Sequence, residues 1–583
     1  MKLTSEQEAI LATEQDLKIN AVAGSGKTST IVAYAKQCDP SKKLLYLAFN
    51  KSVRIEATQK FTEENLSNVM VETAHSLAYK NVVRKHGYAL QANGYKSHEI
   101  AKILSIKSAG KKHSELVVAN HVAKYAALFC NSAALKVGEL NYLETITNEE
   151  SQEFVHTHHQ QIYVQTRTFL AKMNSGEIPI THDFYLKKYQ LSKPKLFYDY
   201  IFFDEGQDAS PAMLDIFKRQ TATKILVGDT HQQIYGWRNA VNSLEKTNFK
   251  ELRLSASFRF SPQIATLAHK ILLWKKHLGQ DPDIKLFGRG KHTENKVKAT
   301  IARTNLGLLL RAIEFIKENK RVKHIYFEGN LSSYTYADDG ASLYDVLNLK
   351  NGKKRLVRDA IIKQMSSLED LEEYIKQTDD VQLGLMVEIV KEYGNEIPKI
   401  LQDLKSKHVE NEEKNKAEMI FSTVHRCKGM EYDSVQLVND FVGEERLKVL
   451  IEKDDADPSR LNEEINLLYV AVTRTRNHLY IPENLVPDGI GPTPSLHIIK
   501  TVAKEKDSKS ETDRALKLYL KEKSYAVEKV RETHKKAYQK WTPELDEELL
   551  AMYDEGIPSR VLAIHFNRTT GGIRSRLKKL NGW

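Results

Sequence analysis

A short strand, a glycine-rich loop and a helix follow one another in "LKINAVAGSGKTST", residues 17–30, and this order constrains the fold more than any other feature. Leu17, Ile19 and Val22 indicate the strand, and the residues after the loop have a helical pattern. Glycines in such a loop let backbone N–H groups approach phosphate oxygens, and the helix that follows presents its positive end. The segment therefore predicts a phosphate-binding loop in an α/β domain.

The side chains at the end of this loop fit two roles in nucleotide binding. Lys27 is predicted to contact the β- and γ-phosphates, and the Thr28 hydroxyl to coordinate Mg²⁺. Ala21 stands where the pattern usually has its first glycine, at a position that only opens the turn. The residues expected to hold ATP in this segment are Ala23, Gly24, Ser25, Gly26, Lys27, Thr28 and Ser29.

A second apolar strand ends in acidic residues, in "YIFFDEGQDAS", residues 200–210. Three carboxylates and an amide are costly to leave half-buried unless a cation lies among them. Alone, the stretch fits either acids paired with nearby lysines or a metal at the carboxyl edge of a sheet. Because a phosphate-binding loop lies upstream, Asp204 is predicted to hold Mg²⁺, and Glu205 to orient and deprotonate the attacking water.

The composition narrows the class of protein. The 583 residues are too many for one hydrophobic core, so about four domains are expected. No stretch reaches the roughly 18 apolar residues of a membrane span, and neither a signal peptide nor a membrane partner is expected. The three cysteines form no CxxC pair, which favours a reducing cytoplasm. The net charge of +11 favours a polyanionic partner, most simply nucleic acid.

Further motifs, in a fixed order up to about residue 482, give a resemblance to superfamily 1A DNA helicases of the UvrD/Rep type. Besides "AGSGKT" and "DEGQD", they are "LTSEQEAI", "LLYLAFNKSV", "VETAHSLAY", "ILVGDTHQQIYGWRNA", "LSASFRFSPQIATLA", "TVHRCKGMEYDSV" and "EEINLLYVAVTRTR". The wording of "AFNKS", "TAHSLAY" and "LLYVAVTR" is nearest to the F-box DNA helicase branch. An F-box ahead of the core is not expected. Gly206 replaces the alanine that is common in the acidic motif of this family, a change expected to matter little.

The resemblance implies an α/β protein with two RecA-like P-loop domains and helical insertions. The first RecA-like domain, 1A, is predicted in 1–80 and 191–262, and the second, 2A, in 263–330 and 414–500. Residues 81–190 are predicted to be the helical insertion 1B, and 331–413 a short helical insertion 2B.

Nucleotide contacts beyond the loop follow from the same resemblance. Gln7 is expected to read the adenine edge and Glu431 to bind the ribose. Phe258 is expected to stack on adenine, although this family usually has a tyrosine there. Gln232 would touch the γ-phosphate, and two arginine fingers would stabilise its departure. These fingers are Arg259 and Arg474; the latter follows an apolar strand or helix, "NLLYVAVT".

DNA contacts are predicted on the motifs between the nucleotide segments. Tyr235, Trp237 and Arg238 would form a platform on which unpaired bases stack. Core packing is the alternative for these aromatic side chains. The other predicted DNA contacts are Phe49, Asn50, His75, Thr423 and His425.

A different kind of segment follows the motifs. Residues 501–537 are predicted to be a charged linker, and 538–583 a three-helix Myb/SANT-like helix-turn-helix. In its third helix, expected to begin at Thr569-Thr570, basic side chains would be exposed, and protein docking is the alternative to DNA binding. Those predicted to be exposed are Arg574, Arg576, Lys578 and Lys579, of which Arg574 and Arg576 are assigned to DNA.

The chain is thus predicted to be an ATP- and Mg²⁺-dependent translocase on single-stranded DNA and a 3′–5′ helicase, acting on duplex DNA in repair or recombination. The alternatives are a translocase that strips proteins from DNA and a DNA-binding switch. A cytoplasmic or nucleoid location is expected, as a monomer or DNA-induced oligomer, with an accessory repair or replication protein as a further partner. A metal site at His156, His158 and His159 is disfavoured by their spacing.

Overall fold

The computed structural model describes residues 3–108, 112–146, 149–236, 240–291, 297–329, 331–334, 341–378, 380–452, 458–500 and 541–566, together with 568, 573, 574, 576, 577 and 580. Several sequence predictions lie outside the described residues. They concern Trp237, Arg238, the segment 501–537, Thr569, Thr570, Lys578 and Lys579. Helices and strands are numbered along the chain.

The first sheet contains six parallel strands in the order β3-β2-β4-β5-β1-β6. Every residue of β2 is buried, as expected for a parallel strand covered on both faces. Since β5 alone separates β4 from β1, the acidic strand end and the glycine loop open on the same edge. The strands are β1 (Leu17–Ala21), β2 (Leu44–Ala48), β3 (Val69–Thr73), β4 (Tyr200–Phe203), β5 (Thr223–Gly228) and β6 (Lys250–Leu254).

Two groups of helices accompany this sheet. The first group consists of α1 (Ser5–Leu11), α2 (Lys27–Gln37), α3 (Lys51–Glu63) and α9 (Pro211–Lys218). The second group forms a helical insertion between β3 and β4, which shares one apolar core with α9. It consists of α4 (Ala74–Ala78), α5 (Ser97–Ile103), α6 (Ser114–Asn131), α7 (Glu149–Ser175) and α8 (His182–Leu191).

The second sheet also contains six parallel strands, in the order β10-β11-β9-β12-β13-β14. Before this sheet in the chain, two short strands of two residues each, β7 (Ala256–Ser257) and β8 (Phe287–Gly288), pair with each other. The six strands are β9 (Lys298–Ala302), β10 (Ile325–Phe327), β11 (Met419–Thr423), β12 (Tyr432–Leu437), β13 (Thr475–Pro482) and β14 (Leu496–Ile499).

The helices of this half also fall into two groups. Those near the sheet are α10 (Pro262–Leu273), α11 (Asn305–Glu318), α16 (Glu444–Glu452) and α17 (Pro458–Val472). Four more form a second insertion between β10 and β11: α12 (Leu343–Lys350), α13 (Leu368–Thr378), α14 (Val381–Tyr393) and α15 (Ile397–Lys407).

This architecture confirms the predicted α/β class with parallel sheets and is consistent with RecA-like domains. The domain boundaries stay a prediction. Among the described residues, no helix combines the length and the apolar character that a membrane span needs.

The two helical insertions contact each other directly. Lys112 donates to Ser366 Oγ at 2.9 Å and is ion-paired with Asp370. Lys124 Nζ donates to the Thr378 carbonyl oxygen, at the end of α13. The insertions therefore form a bridge between the two sheets that does not pass through the site described below.

The C-terminal helices pack on the second sheet. Helix α18 (Pro543–Asp554) begins at the capping Thr542 and is followed by α19 (Ser559–His565). Their apolar side chains join Tyr480 and Ile499 of β13 and β14 in one core. The turn after α18 also contacts the second sheet and a helix beside it. Ser434 Oγ of β12 donates to Glu555 at 2.5 Å, and Arg311 of α11 donates to the Gly556 carbonyl oxygen.

The prediction that Arg576 is exposed is wrong. Its side chain is 21% exposed and ion-paired with Asp546 of α18, and the Trp541 ring, just before that helix, also lies beside it. Arg574 is 62% exposed and lies 4.0 Å from Glu318 of α11. Arg574 alone of the two predicted DNA contacts here is exposed enough to reach a partner; the helix-turn-helix assignment stays a prediction.

Replacing Gly556 by valine should detach these helices from the second sheet. Gly556 has φ +79°, and a Cβ there would lie 2.6 Å from Phe315 Cε2 and 2.8 Å from Met419 Cε. We expect hydrogen exchange in α18 and α19 to accelerate at least about tenfold, since overpacking costs about 1–3 kcal/mol. Gly87→Val is the matched control, because Gly87 has φ +69° and a Cβ there would meet no atom within 4 Å. Equal protection in both variants would contradict the packing role.

Candidate functional site

The glycine loop adopts the conformation that phosphate binding requires. Gly24 and Gly26 have φ values of +72° and +81°, which only glycine adopts readily, and Gly26 caps α2. A Cβ on Gly24 would lie 2.6 Å from Arg259 Cβ, so the loop is packed against the segment after β7. The Ser25 hydroxyl is buried and has no hydrogen-bond partner among the described residues. An oxyanion seated in the loop would satisfy such a group.

The acidic end of β4 faces this loop. Glu205 Oε1 lies 3.0 Å from Lys27 Nζ, and Glu205 itself has φ +53°, an uncommon value outside glycine. Asp204 accepts a hydrogen bond from the Tyr46 hydroxyl and another, at 3.0 Å, from the Glu205 N–H. Thr28 follows Lys27 at the start of α2, and Asp204 precedes Glu205 at the end of β4. Hydroxyl and carboxylate oxygens are ligands of the type that Mg²⁺ prefers.

Burial and charge set the protonation of these acids. Burial raises the pKa of Asp204, and the neighbouring Glu205 charge raises it further. Burial would also raise the pKa of Glu205, but Lys27 and Lys428 outweigh this effect and hold it at about 2. The pKa of Lys27 is raised, because Glu205, Asp204 and Asp229 together outweigh its burial. Glu205 and Lys27 are therefore both charged at neutral pH.

Two arginines from separate segments converge on the same place. Arg259 Nη2 lies 2.7 Å from Glu431 Oε1, and its Nη1 donates to the Thr473 carbonyl oxygen at 3.0 Å. Arg474 is 1% exposed and donates to neutral acceptors, among them Val470 O at 3.0 Å. Burial, and the charge of Arg474, lower the pKa of Arg259 to about 10. Two buried guanidinium groups that repel one another favour an anion between them.

Asp229 and Gln232 link the loop to Arg474. Gln232 Nε2 donates to Asp229 Oδ2 at 2.7 Å, and its Oε1 accepts from Arg474 Nη2 at 3.5 Å. The segment "NLLYVAVT", left open between strand and helix, lies in α17, whose Tyr469 hydroxyl donates to Asp229 at 3.1 Å. Helix α17 of the second half thus contacts the edge of the first sheet at which the glycine loop lies.

The remaining predicted nucleotide contacts lie around the same cleft. Phe258 is 41% exposed, and its N–H donates to the Gly24 carbonyl oxygen at 2.9 Å, which fixes it beside the loop. The Gln7 amide donates to Thr30 Oγ1 at 2.9 Å and is 7% exposed, next to Gly26. Glu431 is ion-paired with Arg259 and Arg476, so a ribose would compete with two cations for it.

Three of the predicted DNA contacts lie together. The Phe49 and Tyr235 rings stack with centroids 5.8 Å apart, and the His425 ring lies 5.9 Å from Tyr235. The Tyr235 hydroxyl donates to the His425 carbonyl oxygen at 2.9 Å, across the two halves. Both halves therefore contribute to this aromatic cluster.

The other described DNA predictions lie elsewhere or are occupied. Asn50 caps α3 by accepting from Val53 N–H at 2.9 Å, and His75 packs edge-on against Tyr185. Thr423, at the end of β11, is 4% exposed. The assignment of Thr423 to the DNA backbone stays a prediction.

Lys428 is the functional residue that sequence reasoning missed. Its Nζ is ion-paired with Asp208 and donates to the Gln232 carbonyl oxygen at 2.6 Å. It also lies 3.8 Å from Glu205 Oε2 and 5.4 Å from the centre of the Tyr235 ring. One cation from the second half thus touches both the acidic strand end and the aromatic cluster. Because a lysine is ordinarily a surface residue, the residue type alone did not indicate a buried position at this site.

Gly206 is also more constrained than its sequence position indicated. A Cβ there would lie 2.5 Å from Leu226 Cδ1 on the neighbouring strand β5. Leu226 is fully buried, so the alanine that the family commonly has would displace a packed core side chain. The expectation that the exchange matters little for function stays a prediction.

The three neighbouring histidines, for which the sequence disfavoured a metal site, lie on one helix. His156, His158 and His159 lie in α7, and the His158 Nδ1 is 2.9 Å from the Phe154 carbonyl oxygen. Within the described ranges there is no group of three or more His, Cys, Asp or Glu side chains that could hold a metal ion.

Comparisons with known proteins find relatives of this chain among DNA helicases. Residues 3–251 match the family model of the UvrD/REP helicase N-terminal domain. The chain is 31% identical over 523 residues to F-box DNA helicase 1 of Gallus gallus, covering 83% of this chain and 49% of that protein. It is 28% identical over 531 residues to F-box DNA helicase protein 1 of Schizosaccharomyces pombe, with 83% and 58% covered.

A more distant similarity runs to a bacterial protein. The ATP-dependent DNA helicase Rep of Buchnera aphidicola is 24% identical over 387 residues, which cover 62% of this chain and 56% of that protein. The chain spans about half the length of the curated relatives it matches.

Proposed function

Since the chain is a member of the UvrD-like family of superfamily 1, we propose that it is an ATP-dependent translocase on single-stranded DNA and a 3′–5′ DNA helicase. ATP would bind between the two parallel sheets, and its hydrolysis would drive movement along one strand. The polarity, and a role in repair or recombination, are proposed from the family resemblance. The names of the relatives support a DNA substrate.

The observation that carries the proposal is the convergence of four charged groups from both halves. Lys27 and Glu205 follow strands β1 and β4 of the first sheet, Arg474 lies just after α17, and Arg259 lies between β7 and α10. A phosphoryl group leaving a nucleotide develops charge that such cations stabilise. Because the groups belong to separate halves, a nucleotide would bind most tightly when the halves are close together.

Each polar group at the cleft has a proposed task. The loop N–H groups and Lys27 would hold the β- and γ-phosphates, and Gln232 would lie next to the γ-phosphate. Thr28 and Asp204 would hold Mg²⁺, which neutralises part of the phosphate charge when it is bound. Glu205 would orient and deprotonate the attacking water. Phosphate oxygens would compete for Lys27 and so release Glu205 from its 3.0 Å ion pair.

The track for DNA is proposed at the aromatic cluster. Unpaired bases stack on exposed aromatic faces, and each stack contributes about 1–3 kcal/mol. Insertion of a base between Phe49 and Tyr235 would replace their mutual stack and move the Tyr235 ring. Since Tyr235 lies beside Lys428 and three residues after Gln232, movement at the ring reaches the nucleotide cleft.

The test of this function is ATP hydrolysis measured with and without single-stranded DNA, followed by translocation along strands of increasing length. We expect strong stimulation by DNA, lost in Lys27→Ala, and an arrival time that grows with strand length. Strand displacement should begin from a 3′ tail. Turnover indifferent to DNA would contradict a motor, and protein displacement without strand displacement would favour the alternative translocase.

Removing the Phe258 ring should weaken ATP binding with little effect on the chemical step. Loss of one stacking contact is worth about 1–1.5 kcal/mol, which is close to a tenfold rise in KM for ATP. Phe258→Ala should leave kcat within about twofold, because the ring touches the base and not the phosphates. Phe287→Ala, at a ring that is 55% exposed, is the matched control. A KM equal to that of the control would contradict adenine stacking.

Removing the Tyr235 ring should weaken binding of single-stranded DNA. We expect Tyr235→Ala to raise the Kd for a thymidine oligonucleotide about tenfold, from the loss of one base stack. Tyr235→Phe keeps the ring and loses the hydroxyl contact to His425, so its Kd should stay near that of the wild type. Fluorescence anisotropy with a labelled oligonucleotide distinguishes the two variants. An equal loss in both would assign the effect to the contact between the halves.

A further inference from the structure

A groove on the first helical insertion shares no lining residue with the nucleotide cleft or the aromatic cluster. It lies between the end of α6, helix α7 and helix α8, and has a volume of about 620 Å³. Its floor is apolar and consists of Phe129, Val137, Leu170 and Phe184. Leu135 at its rim is 49% exposed, so apolar surface continues outward from the floor.

The charged side chains that line the groove are all cationic. They are Lys136, Arg167, Lys187 and Lys188, and no carboxylate joins them in the lining. Glu139, beside the rim, accepts a hydrogen bond from the Leu135 N–H at 2.8 Å, so its carboxylate is engaged. The groove is thus a positively charged, partly apolar surface.

Lys187 gives the groove a buried cation without a carboxylate partner. Its side chain is 2% exposed, and its Nζ donates to the carbonyl oxygens of Ser132, at 2.9 Å, and Ala134. The Nζ also lies 4.4 Å from the centre of the Phe129 ring. Burial lowers its pKa to about 8. Both hydrogen-bond acceptors of this ammonium group are neutral carbonyl oxygens, and among the described residues Asp215 and Glu139 act on it only from beyond 4.0 Å, so an arriving anion would compensate its charge.

We infer that this groove binds an acidic peptide segment of a partner protein, anchored by an aromatic or aliphatic side chain. The apolar floor would receive the anchor, and the four cations would receive the flanking carboxylates. A nucleic-acid backbone would match the charges and leave the floor unused. An uncharged apolar helix would supply no carboxylate to the four cations, one of which is buried.

The probe for this inference is a fluorescein-labelled seven-residue peptide of alternating Asp and Phe, titrated with the full chain and followed by anisotropy. Matched probes carry Lys in place of Asp, or Ser in place of Phe, and a seven-nucleotide thymidine strand tests the nucleic-acid alternative. We expect saturable binding of the Asp-Phe peptide alone at this groove. No saturable binding, or equal binding of the Lys or Ser peptide, would overturn the inference.

Charge-reversal variants locate the binding. Arg167→Glu and Lys136→Glu should each raise the Kd of the Asp-Phe peptide about fivefold or more, because each replaces an attraction by a repulsion. Lys102→Glu, at an exposed lysine of α5 outside the groove, makes the same change in net charge and should leave the Kd unchanged. An equal loss in all three variants would mean non-specific attraction, and competition by the thymidine strand would mean a nucleic-acid site; either outcome overturns the inference. DNA-stimulated ATP hydrolysis should be normal in Arg167→Glu, which separates this site from the motor.

Discussion

Glu205→Gln is expected to lower kcat for ATP hydrolysis by about 10²–10⁴-fold, the range associated with loss of a positioned general base. Glutamine has the same shape and cannot accept the proton of the attacking water. ATP binding should be retained, since the glycine loop, Lys27 and the two arginines are unchanged. The KM for ATP should therefore stay within a few fold of the wild-type value.

The measurement is steady-state hydrolysis at saturating single-stranded DNA, together with binding of a fluorescent ATP analogue. Glu251→Gln is the matched control, because Glu251 lies in the same sheet and is also ion-paired with a lysine, Lys18. Lys27→Ala should differ from Glu205→Gln by losing ATP binding as well. Undiminished turnover in Glu205→Gln would remove this side chain from the chemistry.

Lys428→Met is expected to reduce DNA-stimulated turnover by about 10²-fold or more. The substitution leaves Asp208, whose side chain is fully buried, without its cation. Removing one partner of a buried ion pair costs about 3–5 kcal/mol. Because the two partners belong to different halves, this free energy would be lost from the closed arrangement of the halves and not from either half alone.

A double-mutant cycle separates this effect from a general loss of stability. Asp208→Asn removes the carboxylate, so Lys428→Met in that background should cost much less than it does in the wild type. Burial already raises the pKa of Asp208 to about 6, against the opposing charge of Lys428, which shows how poorly this site tolerates an unpaired carboxylate. Melting temperatures of the four proteins provide the control. Additive losses in turnover would show that the two residues act independently.

The sequence was most informative where a motif is contiguous. The glycine loop, Lys27 and the acidic strand end could be predicted because each lies at a strand end, and parallel strands bring their carboxyl ends to one edge. The α/β class followed from the same two segments. Arg474 could be placed in the cleft only through family resemblance, since an isolated arginine carries no local signal.

Residues that act across the chain escaped prediction for a physical reason. Lys428 and Asp208 are 220 positions apart, and their pairing depends on how two sheets meet, which no local pattern records. Tyr469 was given no role from the sequence, yet its hydroxyl, on helix α17, reaches Asp229. Arg576 was expected to be exposed on the basic third helix of the C-terminal module, whereas Asp546 of α18 pairs with it.

Because α18 and α19 pack on the second sheet, a label on these helices can be used to follow movement of that sheet. They share a core with β13 and β14, so they move as one body with that sheet. A donor dye on the exposed face of α18 and an acceptor on α3 would report the distance between the two sheets through each round of ATP turnover. Helices α18 and α19 would thus report any movement of the second sheet relative to the first.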